Sequence, residues 1–204
     1  MQVKLSQAVK MFFGNSSLEM VFFEAIANAL DAEANEITIS ITAKALNQPE
    51  TLQIEISDNG LGFTNERYNK FSKLFDVEES SHKGLGRLVY LCYFDDVKVI
   101  SNYDKVKVRE FDFNEGFKED NFKSSIVPET KSGTVFKMTS YVLQRIAKNE
   151  YVSADYLKSR ILQEFYSRLF HLKDNGQRVV ININTNIENH KKELILLNSD
   201  IPKF

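Results

Sequence analysis

Glu24-Ala25-Ile26-Ala27-Asn28-Ala29-Leu30-Asp31-Ala32 is the stretch around which the predicted fold is built. Its polar residues Glu24, Asn28 and Asp31 recur at intervals of four and three, so a helix with about 100° per residue places them on one narrow stripe. The other positions are apolar, which is typical of a buried helix. Because a buried carboxylate without a partner costs several kcal/mol, we expect the stripe to face water, a metal or a ligand.

Two alternating segments, residues 36–42 and 51–58, follow this predicted helix, which we expect to span residues 15–34. Alternation with a period of two is the pattern of a half-buried strand. A helix followed by two such strands predicts an antiparallel pair whose apolar face is covered by the helix. Asp58 shares the parity of the apolar residues of its strand, so its carboxylate is predicted to point toward the interior.

The rest of the chain predicts helices and strands in alternation. A polar segment over residues 76–83 separates two of the helices, and residues 114–131 show no regular pattern. In a strand over residues 134–140, Thr134 shares the inward parity of Phe136 and Met138, as Asp58 does in its own strand. The elements predicted are helices over residues 64–75, 87–94 and 154–172 and strands over residues 97–101, 105–113, 134–140, 178–184 and 193–197.

Composition excludes several classes of protein. A net charge of −2 in 204 residues gives no electrostatic reason to expect nucleic acid as the main partner. Cys92 is the single cysteine, which excludes a disulfide framework and a cysteine-based metal cluster and fits a cytoplasmic protein. No run of apolar residues approaches the ~18 needed to cross a membrane, and no signal peptide is predicted.

Four short motifs stand in a fixed order: Glu24-x-x-x-Asn28-x-x-Asp31-Ala32, Asp58-x-Gly60-x-Gly62, Gly84-x-Gly86 and Gly133-Thr134. Taken singly, each has an ordinary structural explanation as a satisfied core group, a hairpin turn or a loop. Together they resemble the GHKL ATPase superfamily of gyrase B, Hsp90, histidine kinases and MutL. The ending Asn28-Ala29-Leu30-Asp31-Ala32 is more similar to the Hsp90, MutL and MORC type.

The resemblance implies the Bergerat ATP-binding fold, a two-layer α/β (α+β) sandwich whose mixed, mostly antiparallel sheet carries helices on one face. Residues 1–172 would form the ATP-binding domain. Residues 173–204 would be either the start of a following domain or the C-terminal strands of the same domain. Relatives of MutL and gyrase B have a second domain that donates a lysine to the γ-phosphate, so the chain is either a fragment or does without that lysine.

By the same resemblance, ATP and Mg²⁺ are the expected cofactors. Glu24 would orient and deprotonate the attacking water, Asn28 would supply an oxygen ligand to Mg²⁺, and Asp58 would accept a hydrogen bond from the adenine amino group. Glycine N–H groups would face the phosphates. The other residues implied to bind the nucleotide are Asp31, Ala32, Gly60, Gly62, Lys83, Gly84, Leu85, Gly86, Arg87 and Thr134.

The function implied is slow Mg²⁺-dependent ATP hydrolysis that drives a lid and an ATP-dependent homodimer, with no membrane partner. Two alternatives stay open. One is a histidine kinase-like phosphotransferase, against which stand the Asp31-Ala32 ending and the lack of a preceding phosphoacceptor helix pair. The other is a module that senses nucleotide without turnover, against which stands the intact Glu24.

Overall fold

The computed structural model describes residues 9, 11, 13–73 and 85–202. Its central element is α1 (Glu19–Asp31), whose apolar side chains are buried on several faces as the sequence predicts. The helix is shorter than residues 15–34. It ends because Glu33 adopts a left-handed backbone conformation with φ of 63°, while the amide of Ala34 donates to the carbonyl of Ala29.

An eight-stranded sheet lies against this helix, in the order β5-β4-β3-β6-β2-β1-β7-β8. Strands β1 and β7 run parallel, and the other neighbouring pairs of described strands run antiparallel. The strands are β1 (Glu36–Ala43), β2 (Gln53–Asp58), β3 (Phe94–Tyr103), β4 (Lys107–Asp112), β5 (Lys123–Ile126), β6 (Gly133–Tyr141), β7 (Val180–Ile187) and β8 (His190–Leu196).

Period-two alternation separates the two faces of the sheet. Ile37, Ile39 and Ile41 of β1 are fully buried beneath the helices. The opposite face carries cross-strand ion pairs, such as Glu55 of β2 with Lys137 of β6 at 3.2 Å. The described helices therefore cover one face of the sheet, and the predicted two-layer α+β sandwich is confirmed.

Further helices are α2 (Asn65–Ser72), α3 (Tyr90–Tyr93), α4 (Ala154–Glu164) and α5 (Tyr166–Asp174). A short 3₁₀ turn, Gly86–Val89, leads into α3. The prediction of one helix over residues 154–172 was wrong, because the chain breaks at Phe165, whose buried ring packs edge-on against Phe23 of α1 at 6.1 Å. None of the described helices is long and apolar enough to cross a membrane.

Strand β5 was missed by the sequence analysis, which found no pattern in residues 114–131. All four of its residues are exposed, so no hydrophobic alternation marks it, and it forms by backbone pairing with β4. At the other end of the sheet, β7 pairs with β1 and extends the same sheet. The predicted domain boundary near residue 172 stays a prediction.

Candidate functional site

The Glu24–Asn28 pair forms one end of the candidate site. One helical turn separates the two residues on α1, and the Asn28 amide nitrogen donates to the Glu24 carboxylate at 3.0 Å. Burial raises the pKa of Glu24, while the hydrogen bond from Asn28 and the positive charge of Arg87 act in the opposite direction. The carboxylate is therefore desolvated and oriented, which suits a group that accepts a proton from water.

Gly86 lies directly against this carboxylate. A Cβ at position 86 would come within 2.1 Å of Glu24 Oε2, far inside van der Waals contact. Glycine lets the backbone lie this close to the acid without displacing the carboxylate. Leu85 precedes it, half-buried, whereas Lys83 and Gly84, the other predicted residues of this motif, lie outside the described residues.

Arg87 turns inward from the same segment. Its side chain is buried, donates from Nη2 to the carbonyl of Lys73 at 3.0 Å and stacks over the Phe71 ring at 4.9 Å. Burial lowers the pKa of Arg87 to about 10, although the nearby Glu24 carboxylate favours its charged form. Arg87 thus contributes positive charge from beneath the site and links the end of α2 to the start of the 3₁₀ turn.

Asp58 and Thr134 lie side by side at the other end of the site. They are register partners in β2 and β6, on the inward parity predicted for both. Burial raises the pKa of Asp58, and hydrogen bonds from the amides of Gly60 and Thr134 oppose that shift. The Gly60 amide donates to Asp58 Oδ1 at 2.8 Å, so one carboxylate edge is occupied by the protein.

The loop after β2 ties this end of the site to α1. A Cβ on Gly60 would lie 2.6 Å from the carbonyl oxygen of Ala32, and the Leu61 amide donates to that oxygen at 2.8 Å. Ala32 is buried at this contact. Because backbone meets backbone, Gly60 has no room for a side chain, and the Asp58 loop is fixed against the end of the helix that carries Glu24.

Asp31 departs from the stripe predicted for it. Its side chain is exposed and forms an ion pair with Arg168 of α5 at 2.8 Å. Its carbonyl oxygen accepts a hydrogen bond from Arg67 of α2 at 2.9 Å. The structure therefore brings Glu24 and Asn28 together but turns the Asp31 carboxylate toward α5.

Sequence analysis missed three residues at the site. Arg67 is close enough to lower the pKa of Asp58 by its charge. Ser101 is fully buried, accepts from the Phe63 amide at 2.7 Å and lies 3.2 Å from the Thr134 hydroxyl. Tyr90 is fully buried below the Glu24–Asn28 pair. Only Ser101 could have been found from the sequence. It is a polar residue that alternates in β3 with the same parity as Val97 and Val99, so it is expected to point inward with them.

The donor set fits Mg²⁺ bound together with phosphates. Asn28 and Glu24 offer hard oxygen atoms, which Mg²⁺ prefers. Among the described residues, no group of three or more His, Cys, Asp or Glu could hold a metal ion by itself. A magnesium ion at this site would therefore need ligands from a nucleotide and from water, as Mg²⁺ commonly does.

Several solved structures share the fold of this chain. Three similar chains are an N-terminal domain of a DNA repair protein, a Francisella tularensis topoisomerase IV ATP-binding domain with an inhibitor, and an Aquifex aeolicus MutL ATPase domain with ADP. Their TM-scores are 0.59, 0.59 and 0.50 at 16%, 16% and 17% identity. The alignments cover 96%, 93% and 88% of this chain, and 56%, 92% and 63% of the others.

The chain thus spans little more than half of the DNA repair domain and under two thirds of the MutL domain. No curated protein matches it in sequence. A sequence profile described as "Histidine kinase-, DNA gyrase B-, and HSP90-like ATPase" matches residues 14–140, which contain all four motifs. The chain belongs to this family of ATPase domains, as the resemblance of its motifs had indicated.

Proposed function

We propose that this domain binds ATP and hydrolyses it with the help of Mg²⁺. The observation that carries the proposal is the oriented Glu24–Asn28 pair held against the bare backbone of Gly86. A desolvated acid, an amide oxygen and a close-lying backbone segment are the parts that phosphoryl transfer to water needs. Membership of the ATPase family supports ATP as the ligand.

Adenine would bind at the Asp58–Thr134 end. The Asp58 carboxylate accepts from the Gly60 amide through Oδ1 at 2.8 Å and from the Thr134 amide, and its remaining lone pairs, on Oδ2 in particular, would accept from the adenine amino group. Guanine carries a carbonyl at the equivalent position, so an ionised acceptor favours adenine. Ala32, Gly60 and Gly62 would line the base, and the Thr134 hydroxyl, held by Ser101, would complete its polar edge.

The phosphates would lie at the Glu24 end, beside the backbone of Leu85 and Gly86 and above the charge of Arg87. Mg²⁺, when bound, would neutralise charge on the phosphates and hold them in place. Asn28 would ligate it through Oδ1, since its amide nitrogen already donates to Glu24. Glu24 would hold the attacking water and take its proton. Contributions from Lys83 and Gly84 stay predictions.

A lid and an ATP-dependent homodimer remain part of the hypothesis. The predicted lid, residues 76–83, lies outside the described residues. A cytoplasmic setting is expected because the single Cys92 suits a reducing compartment. The net charge of −2 gives no support to a nucleic-acid partner for this segment.

Phosphate release and nucleotide binding, measured on the same variants, test the proposal. The wild-type chain should bind ADP in a calorimeter and release phosphate from Mg·ATP, while Glu24→Gln should bind equally well and release none above background. Binding without Glu24-dependent release would instead support the sensing module. Acid-labile phosphate on a protein partner would support the phosphotransferase. Absence of binding at millimolar nucleotide would refute the proposal.

A further inference from the structure

Tyr90 carries a buried hydroxyl group that makes no hydrogen bond of normal geometry with any described residue. The residue has no solvent-exposed surface, and its ring packs against Phe136 of β6 at 5.6 Å. A buried polar group without a partner destabilises a protein, so phenylalanine would serve packing better at this position. The hydroxyl therefore calls for an explanation other than stability.

The surroundings of the hydroxyl are the proposed catalytic pair. The 3₁₀ turn that begins at Gly86 packs against α1 beside Glu24, and Tyr90 follows that turn directly. Burial raises the pKa of Tyr90 well above its usual value; the Glu24 carboxylate adds to the shift, and the Asn28 amide opposes it. The Asn28 amide is thus a neighbour of the phenol oxygen.

An asparagine needs such a neighbour if its oxygen is to bind a metal. The oxygen and nitrogen of an amide have nearly the same size, so packing alone does not determine which of them faces a ligand. One Asn28 N–H donates to Glu24 at 3.0 Å. A second acceptor for the other N–H would set the amide in one orientation, with its oxygen directed away from both acceptors.

We propose that Tyr90 is a positioning residue for Asn28: its hydroxyl oxygen accepts the second N–H of the amide and thereby turns Oδ1 toward Mg²⁺ and the phosphates. This inference rests on the proposed function and adds a residue to it. With both N–H groups of Asn28 held by Glu24 and Tyr90, Oδ1 would be free to bind the metal. Tyr90 itself touches neither nucleotide nor metal, because it is fully buried.

Tyr90→Phe removes the hydroxyl alone, and Tyr141→Phe is the matched control. The Tyr141 hydroxyl is also buried without a partner among the described residues. It lies at the far end of β6, seven residues from Thr134, or roughly 23 Å along the strand. Both variants should unfold at the same temperature as the wild type or slightly above it, because each loses an unpartnered hydroxyl.

Only Tyr90→Phe should change the response to metal. In calorimetry with ADP in EDTA, the wild type and both variants should bind equally. With MgCl₂ titrated into the ADP complex, Tyr90→Phe should need about 10- to 100-fold more Mg²⁺, the range typical for partners of metal ligands. Its kcat for Mg·ATP should fall with little change in KM. In an Asn28→Ala background, Tyr90→Phe should cause no further change.

Two results would overturn the inference while leaving ATP hydrolysis intact. One is that Tyr90→Phe needs the same Mg²⁺ concentration and has the same kcat as Tyr141→Phe and the wild type, while the wild type is active. The other is a loss of stability in Tyr90→Phe that Tyr141→Phe does not share, since the hydroxyl would then support the fold. A wild-type chain that neither binds ADP nor releases phosphate would overturn the proposed function and this inference with it.

Discussion

Gly86→Ala is the substitution that most sharply separates stability from catalysis in this domain. The new methyl group would start 2.1 Å from Glu24 Oε2 and 2.6 Å from its carboxyl carbon. These atoms form the far end of a flexible side chain. The carboxylate can therefore rotate away from the methyl group without any movement of the backbone.

The size of that movement follows from the contact. Carbon and oxygen need roughly 3.5 Å, so the carboxylate must retreat by more than about 1 Å. The 3.0 Å hydrogen bond from Asn28 is then lost or stretched, at a cost of about 0.5–1.5 kcal/mol. A catalytic group displaced by 1 Å can lose about 10²-fold in rate. We expect a small loss of stability and a fall in kcat of about two orders of magnitude.

Phosphate release and urea unfolding, measured on the same preparation, check this prediction. Gly116→Ala is the control, because its Cβ would meet only the Asn114 side-chain oxygen at an ordinary 3.4 Å. Gly60→Ala is the contrast, because its Cβ would meet the Ala32 carbonyl at 2.6 Å and should destabilise the fold itself. A Gly86→Ala variant with wild-type kcat would refute the placement of Glu24.

Three further predictions follow from the described contacts. Asp58→Asn should weaken ADP binding at least tenfold in calorimetry, since a charged acceptor is worth about 1.5–3 kcal/mol; wild-type affinity would exclude Asp58 from the base site. Burial raises the pKa of Glu19, but the hydrogen bonds from Arg160 and Tyr156, together with the positive charge of Arg160, outweigh burial and hold the pKa below the usual 4.5. The stability that these contacts add is present above pH 4.5 and is lost as pH falls through the lowered pKa. Glu19→Gln should therefore flatten the acid side of the thermal-stability profile, and a profile parallel to that of the wild type would contradict this. Arg109→Ala should lower the free energy of unfolding in urea by about 3 kcal/mol or more, because Arg109 is buried and donates to two loop carbonyls at 2.7 and 3.2 Å. A loss below about 1 kcal/mol would show that the two carbonyls find other hydrogen-bond donors.

The sequence predicted those elements of the fold that show a regular alternation of apolar and polar residues. Alternation located β1 and β2, and parity placed Asp58 and Thr134 on the inward face, where the structure pairs them. Strand β5 has no alternation because both its faces are exposed, so no pattern could reveal it. The break at Phe165 depends on its contact with Phe23, a residue 142 positions away, which local sequence does not show.

Prediction of the site was limited in the same way, because contacts between residues far apart in the sequence leave no local pattern. The spacing of Glu24 and Asn28 predicted neighbours on one helix face, and their hydrogen bond follows from that spacing. Asp31 obeys the same spacing, yet its carboxylate pairs with Arg168, since a partner from a distant helix competes for it. Tyr90 sits in a run of apolar and aromatic residues, where nothing in its own segment separates a core tyrosine from one that faces Asn28.

A crystal structure with ADP and Mg²⁺ tests the central claim most directly. We predict density for adenine with its amino group within hydrogen-bond distance of Asp58 Oδ2. The phosphates should lie beside Gly86, and the metal should be bound by Asn28 Oδ1. Nucleotide density at any other surface, or adenine turned away from Asp58, would contradict the account of this site.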